Sequence, residues 1–256
     1  MPQKKLRVLC LHGFRTNVDV MRTQTQGVRD ALGDRAEFVF VNAPFQSRGA
    51  TDEVIKRKYG EDAVFYEWWQ ARYLEKEELE DLAAQPNPAD TSIWNLSFED
   101  IELAIEYMDE QIQKLGPFDI AMGFSQGSIM LTLLSMLYLK KQNVRPWKLC
   151  ICVCGVRVHG INVRDLFETE EGEEVLVPYP SIHILGKLDT LYEDSQQLAD
   201  MYEDHPKGSP MRKVILETNS GHKFPTPSRH KEFYDELART IVQFFEDTTK
   251  SFVARL

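Results

Sequence analysis

Positive charge is what this sequence has too little of. Its 30 lysines and arginines face 40 aspartates and glutamates, a formal net charge of −10. A surface of that sign repels phosphate backbones and anionic lipid faces, which argues against a nucleic-acid partner. Cysteine is scarce as well, and four in 256 residues cannot make a disulfide scaffold. Three of them, Cys150, Cys152 and Cys154, alternate in "KLCICVCGV". That spacing puts them on one face of a strand, with neighbouring Cα atoms near the upper limit for a bridge. No Cys or His cluster nearby completes a metal site. They read as reduced, small apolar core residues of a reducing compartment, and neither a metal nor a cofactor is expected.

Long hydrophobic runs are also missing. The longest, Ile129 to Leu139, is broken by Thr132 and Ser135 and is too short to span a bilayer. The opening "MPQKKLRVLCLHG" has basic residues before an apolar run, but the run is too short for a signal core and no small-residue cleavage site follows. Cytoplasm is therefore the expected compartment. The ending Ala254-Arg255-Leu256 fits the small–basic–leucine pattern of a peroxisomal address and supplies the alternative. There is no internal repeat and no low-complexity tract.

What is present is an ordinary soluble composition, 43% hydrophobic and 27% charged, long enough for one large domain. Six segments read as strands: Leu6–His12, Glu37–Asn42, Phe118–Met122, Lys148–Cys154, Ser181–Leu185 and Lys213–Glu217. Most are continuous apolar runs, as parallel strands covered on both faces require. Helical patterns lie between several of them. The clearest is "SFEDIELAIEYMDEQIQKLG", in which Ser97 and Asp100 resemble a capping box and Gly116-Pro117 ends the run. The last helix, from about Pro227 to Asp247, puts Phe233, Leu237, Ile241 and Phe244 on one stripe. Strand–helix alternation of this kind means an α/β fold with a mainly parallel, doubly wound six-strand sheet.

One connection is far longer than such a fold needs. Residues 45–96, after the second strand, include "VFYEWWQARYLEKEELEDL", a helix-like patch rich in aromatic rings. This segment is expected to be a cap inserted into a single domain spanning 1–256. Phe65, Tyr66, Trp68, Trp69 and Tyr73 are its candidate substrate-binding residues, lining a channel for apolar acyl groups of medium or greater length. Packing of the cap onto the sheet explains the same rings equally well.

The chemistry starts at "FDIAMGFSQGSIM". Ser125 stands between a strand and a helix inside Gly-x-Ser-x-Gly, the pattern of a nucleophile elbow, and Gly123 and Gly127 avoid clashes across the sharp turn. A serine hydroxyl needs a base held by a carboxylate. In the α/β-hydrolase arrangement these follow in the order Ser, acid, His, each in the loop after a later strand. Asp189 in "GKLDTLY" and His222 in "NSGHKFP" meet that order. His183 lies inside a strand, His205 in a polar loop, His230 on the last helix, and His159 follows the fourth strand out of order. Asp194 and Asp200 fit a solvated helix face. Two backbone N–H groups for an oxyanion hole are expected from Gln126, after the nucleophile, and from Phe14 in "CLHGFRTN", where Gly13 permits close approach. His12 orders that loop by hydrogen bonds.

Taken together, "RVLCLHGFRTNVDVMRTQTQGVRDALGDRAEFVFVNAP", "YEWW", "GPFDIAMGFSQGSIM", "GKLDTLY" and "GHKFP" resemble the FSH family of serine hydrolases, in order and over most of the chain. The resemblance implies an α/β-hydrolase fold, a Ser125–Asp189–His222 triad and hydrolysis of a small-molecule carboxylic ester or thioester. The acidic tract "LEKEELEDLAAQPNPAD" departs from the family pattern. Peptidase or carbon–carbon hydrolase chemistry on the same fold, and a binding module without catalysis, are the other readings.

Overall fold

The computed structural model describes residues 5–85, 87–206, 209 and 211–253; Ala254-Arg255-Leu256 lies outside them. In chain order, β1 (Leu6–Leu11) is followed by α1 (Val18–Gln24), α2 (Gln26–Leu32) and β2 (Ala36–Val41). The long connection then carries β3 (Phe45–Gln46), α3 (Glu53–Tyr59), β4 (Tyr66–Glu67), β5 (Gln70–Tyr73), α4 (Lys76–Ala83) and β6 (Leu96–Glu99). Next come α5 (Ile101–Leu115), β7 (Ile120–Phe124), α6 (Gln126–Gln142), β8 (Leu149–Val153), β9 (Ser181–Gly186), α7 (Tyr192–Asp200), β10 (Lys213–Thr218) and α8 (Lys231–Val253).

The six strands read from the apolar runs build one sheet in the order β10-β9-β8-β7-β1-β2, and every neighbouring pair is parallel. Every residue of β7, β8 and β9 is buried, because both faces are covered. Alternation sends Leu9, Leu11, Ala121, Cys150 and Cys152 into one core, and Val8, Cys10, Ile120, Met122 and Ile151 into the other. Helix α6 is buried almost all round, so it shows no polar stripe. Two of its buried hydroxyls are satisfied within the helix turn: Thr132 Oγ1 donates to Ser128 O at 2.8 Å and Ser135 Oγ to Leu131 O at 2.7 Å. Among the described residues no helix is long and apolar enough to cross a membrane.

Three local expectations fail, each through tertiary partners. Ser97 and Asp100 form no capping box. Residues 96–99 are a strand pairing antiparallel with β5, and α5 begins at Ile101 after Asp100 takes a left-handed φ of 58°. Asn162 accounts for the change: its side chain accepts from Phe98 N at 3.1 Å and donates to Phe98 O at 2.8 Å, replacing the helical partners. The aromatic patch is likewise extended at β4 and β5, and helix is confined to α4. Finally, Cys154 does not share a face with Cys150 and Cys152. Its φ of 45° turns the chain out of β8, and its side chain joins the opposite core.

Chain direction positions the site. From β1 the chain moves outward to β2, then crosses back to β7 on the other side of β1. The loops leaving the carboxyl ends of β1 and β7 therefore diverge, and such a switch point opens a crevice above the sheet.

Candidate active site

Ser125 sits at that crevice, between β7 and α6, with φ 51° and ψ −119°. A positive φ at a non-glycine residue is strained backbone, the kind that persists where the surroundings impose it. The surroundings are backbone packed against backbone. A Cβ on Gly127 would stand 2.3 Å from Leu11 O and 2.7 Å from His12 O, and one on Gly123 would stand 2.3 Å from Gly127 O. Gly127→Ala should therefore drive α6 away from β1 and lower stability by about 1–3 kcal/mol, as overpacking does. Urea unfolding midpoints of the two proteins measure it; equal midpoints would show that the helix start is not constrained as described.

Asp189 lies past the end of β9 and is 6% exposed. Its Oδ1 accepts from Leu191 N at 2.9 Å, and its Oδ2 stands 2.7 Å from His222 Nδ1. An ionised carboxylate can only accept, so Nδ1 carries the imidazole proton and Nε2 keeps its lone pair. The two loops meet at Gly186, where an added Cβ would lie 2.5 Å from Ser220 O and 2.6 Å from Gly221 O. The His222 ring packs on Phe124, the residue before Ser125, with centroids 5.1 Å apart. The other candidates are engaged elsewhere: His159 faces Ile93 O and Asp194, His205 faces Glu203, and His230 faces Thr226 O. His183 is buried inside β9 and bonds Ser181 Oγ.

The loop after β1 is held by His12. Its Nε2 accepts from Ala43 N at 2.9 Å, which leaves the proton on Nδ1, facing Gly13 O at 2.8 Å and Thr16 Oγ1 at 3.1 Å. Complete burial pushes its pKa down to about 4, so this ring is neutral and structural. Gln126 is the first residue of α6, where helical N–H groups have no preceding carbonyl partner. Phe14 follows Gly13 and is 40% exposed, and Leu188, beside Asp189, is 73% exposed. These two large apolar side chains stand open on the loops that carry the site, and Leu188 had no signal in the sequence beyond its position.

The five aromatic candidates divide. Trp68 and Trp69 are buried, with Trp68 stacked on His12 at 5.3 Å and Trp69 on Phe98 at 4.8 Å. Phe65 and Tyr66 are half-buried and Tyr73 is exposed. Sequence reasoning also missed Cys154. Its turned side chain comes to Asp189 and His222, the three ligand atoms lying within 4.8 Å of one another. Burial, then the Asp189 charge, pushes the thiol up to about 12, so it remains protonated. A protonated thiol beside a histidine and a carboxylate already bonded to each other makes a poor metal seat.

The profile of the serine hydrolase (FSH1) family matches residues 1–234. The chain belongs to that family. Esterase OVCA2 of Danio rerio is 26% identical over 248 residues, covering 91% of this chain and 96% of that protein. Rhodanese-like domain-containing protein 6 of Arabidopsis thaliana is 25% identical over 253 residues, covering 94% of this chain, which spans 40% of that protein's length. Among solved structures, esterase PE8 superposes with a TM-score of 0.51 at 22% identity over 94% of this chain and 93% of that one, a likeness of fold. The fold of this family member is that of the α/β-hydrolases.

Proposed function

We propose that this serine hydrolase family member cleaves carboxylic esters or thioesters through an acyl-enzyme formed on Ser125. The observation that carries the reading is the 2.7 Å bond between Asp189 and His222, set beside the elbow by the His222–Phe124 contact. Ser125 Oγ attacks the acyl carbon while His222 Nε2 takes the hydroxyl proton, and Asp189 stabilises the imidazolium that results. The backbone N–H groups of Gln126 and Phe14 receive the oxyanion. Collapse of that intermediate breaks the bond to the alcohol or thiol, which leaves with the proton from His222. Water, deprotonated by the same ring, then releases the acid and restores Ser125.

A fluorophosphonate probe tests the assignment. It should label the wild type at Ser125 alone, and Ser125→Ala should take up none; labelling that survives the substitution would move the nucleophile elsewhere. A protein that neither labels nor turns over an aryl ester would return the site to ligand binding.

Residues 45–96 act in this reading as the cap over the strand ends. Apolar acyl groups remain the favoured substrates, with Phe14 and Leu188 as the surface that receives them in place of the buried tryptophans. Each methylene removed from water contributes about 0.8 kcal/mol, so kcat/KM should climb along a series from acetyl to decanoyl esters. Leu188→Ser should flatten that climb. A profile that is flat in the wild type, or equally steep in the variant, would exclude this surface.

A further inference from the structure

Gln126 does more than begin a helix. Its side chain is buried, its Oε1 accepts from Trp68 N at 3.1 Å, and its Nε2 donates to Trp69 O at 3.0 Å. Trp68 is fully buried in turn, and its indole Nε1–H donates to His12 O at 2.8 Å. The same short span is tied to the loop after β1 at three further points. Tyr66 N donates to Thr16 O at 2.7 Å, Asn17 Nδ2 to Val64 O at 3.0 Å, and Arg15 Nε meets the buried carboxylate of Glu67 at 3.3 Å. Residues 64–69 therefore grip both sides of the crevice, the loop that carries Phe14 and the first residue of α6.

Those two sides are the ones that supply the oxyanion N–H groups. An oxyanion hole works by preorganisation: its donors must already stand about 2.7–3.1 Å from where charge will develop. A displacement of about 1 Å can cost roughly a hundredfold in rate. Within the loop after β1 the His12 ring meets Gly13 O and accepts from Ala43 N, and Trp68 adds a tie from outside, to the same segment that bridges Gln126. His12 O lies two residues before Phe14, and the indole N–H of Trp68 is the donor that fixes it.

We propose that Trp68 is a positioning residue for the oxyanion hole, its indole N–H and the Gln126 bridge setting the spacing between the loop after β1 and the start of α6. The assignment rests on the serine-hydrolase mechanism given above. It makes the "YEWW" segment a brace for the catalytic backbone rather than a wall of the acyl channel.

Trp68→Phe tests it, because the ring and most of the packing remain while the indole N–H is lost. On an aryl ester that the wild type turns over, kcat should fall about 10- to 100-fold while KM stays within about threefold. Fluorophosphonate labelling of Ser125 should slow in parallel, since phosphonylation develops the same oxyanion charge. A variant that is less stable but keeps the wild-type kcat per folded molecule would show that Trp68 only fills the core. A rise in KM with kcat unchanged would make it a substrate contact, and either result overturns the proposal. Should Trp68→Phe not fold, Gln126→Met keeps the side-chain length and the backbone N–H but drops both bridging bonds; unchanged kcat there overturns the proposal equally. Wild-type protein that neither labels nor hydrolyses esters would refute the hydrolase mechanism itself, a result distinct from an active wild type with unaffected variants.

Discussion

Replacing Ser125 or His222 by alanine should lower kcat on an activated ester by roughly a million-fold, leaving KM and the fold close to wild type. The size follows from the way nucleophile and base act as one unit: without the base the hydroxyl stays protonated, and without the hydroxyl the base has nothing to activate. The double variant should therefore be little worse than either single one. Asp189→Asn should cost somewhat less, on the order of ten-thousand-fold. Its cause would be tautomeric. The amide can donate toward Nδ1, which moves the ring proton to Nε2 and removes the lone pair that Ser125 needs. Leu191 N, now bonded to Asp189 Oδ1, would still find the amide oxygen, so the loop should hold its shape. Steady-state kinetics at matched concentrations of folded protein measure all four variants. Near-normal turnover in Asp189→Asn would exclude this carboxylate, and Asp194, which faces His159 at 3.9 Å, would be the next to test.

Acid should unfold the protein through two histidines that take no part in this chemistry. His12 and His183 are completely buried; burial lowers the first to about 4, and burial with the nearby Lys213 charge lowers the second to about 3. Both are neutral in the fold, whereas in the unfolded chain they titrate near the ordinary value of 6.5. Folded values below unfolded values mean that the unfolded chain binds the extra protons. Stability is thus full above about pH 6.5 and is lost as pH falls, until the folded pKa values are reached. With both groups titrating, the loss between about pH 6 and 4 is on the order of 2 kcal/mol per pH unit. Two units remove a sizeable part of the roughly 5–15 kcal/mol that typically holds a domain together. Urea midpoints across that range measure the slope, and His183→Gln, which keeps a hydrogen-bonding side chain beside Ser181, should lower it by about one proton's worth. An unchanged slope would mean that His183 does not stay neutral in the fold.

The sequence by itself was enough to determine the six-strand parallel sheet, its covered faces and the sharp strand-to-helix turn at Ser125. Each of these is written in local pattern: a continuous apolar run for a strand buried on both sides, and Gly-x-Ser-x-Gly for a turn whose neighbours admit no Cβ. It also placed Asp189 and His222 in the loops after β9 and β10, because strand ends can be counted along the chain. Tertiary structure alone decided what those loops do to one another. The 2.7 Å bond across 33 residues, and the Gly186 contact that permits it, depend on which strands become neighbours. The same holds for the segment after β2. Its aromatic spacing reads as helix, yet β4 and β5 are extended, because Thr16, Gln126 and the partner strands satisfy backbone groups that a helix would have satisfied internally. Asn162 overrides the capping signal at Ser97 in this way, and a φ of 45° carries Cys154 off the face its spacing assigns. Local pattern reports what a residue buries; only the assembled chain reports which partner meets a backbone amide, and that choice turned a helix-like run into the brace that joins Trp68 to Gln126 and His12.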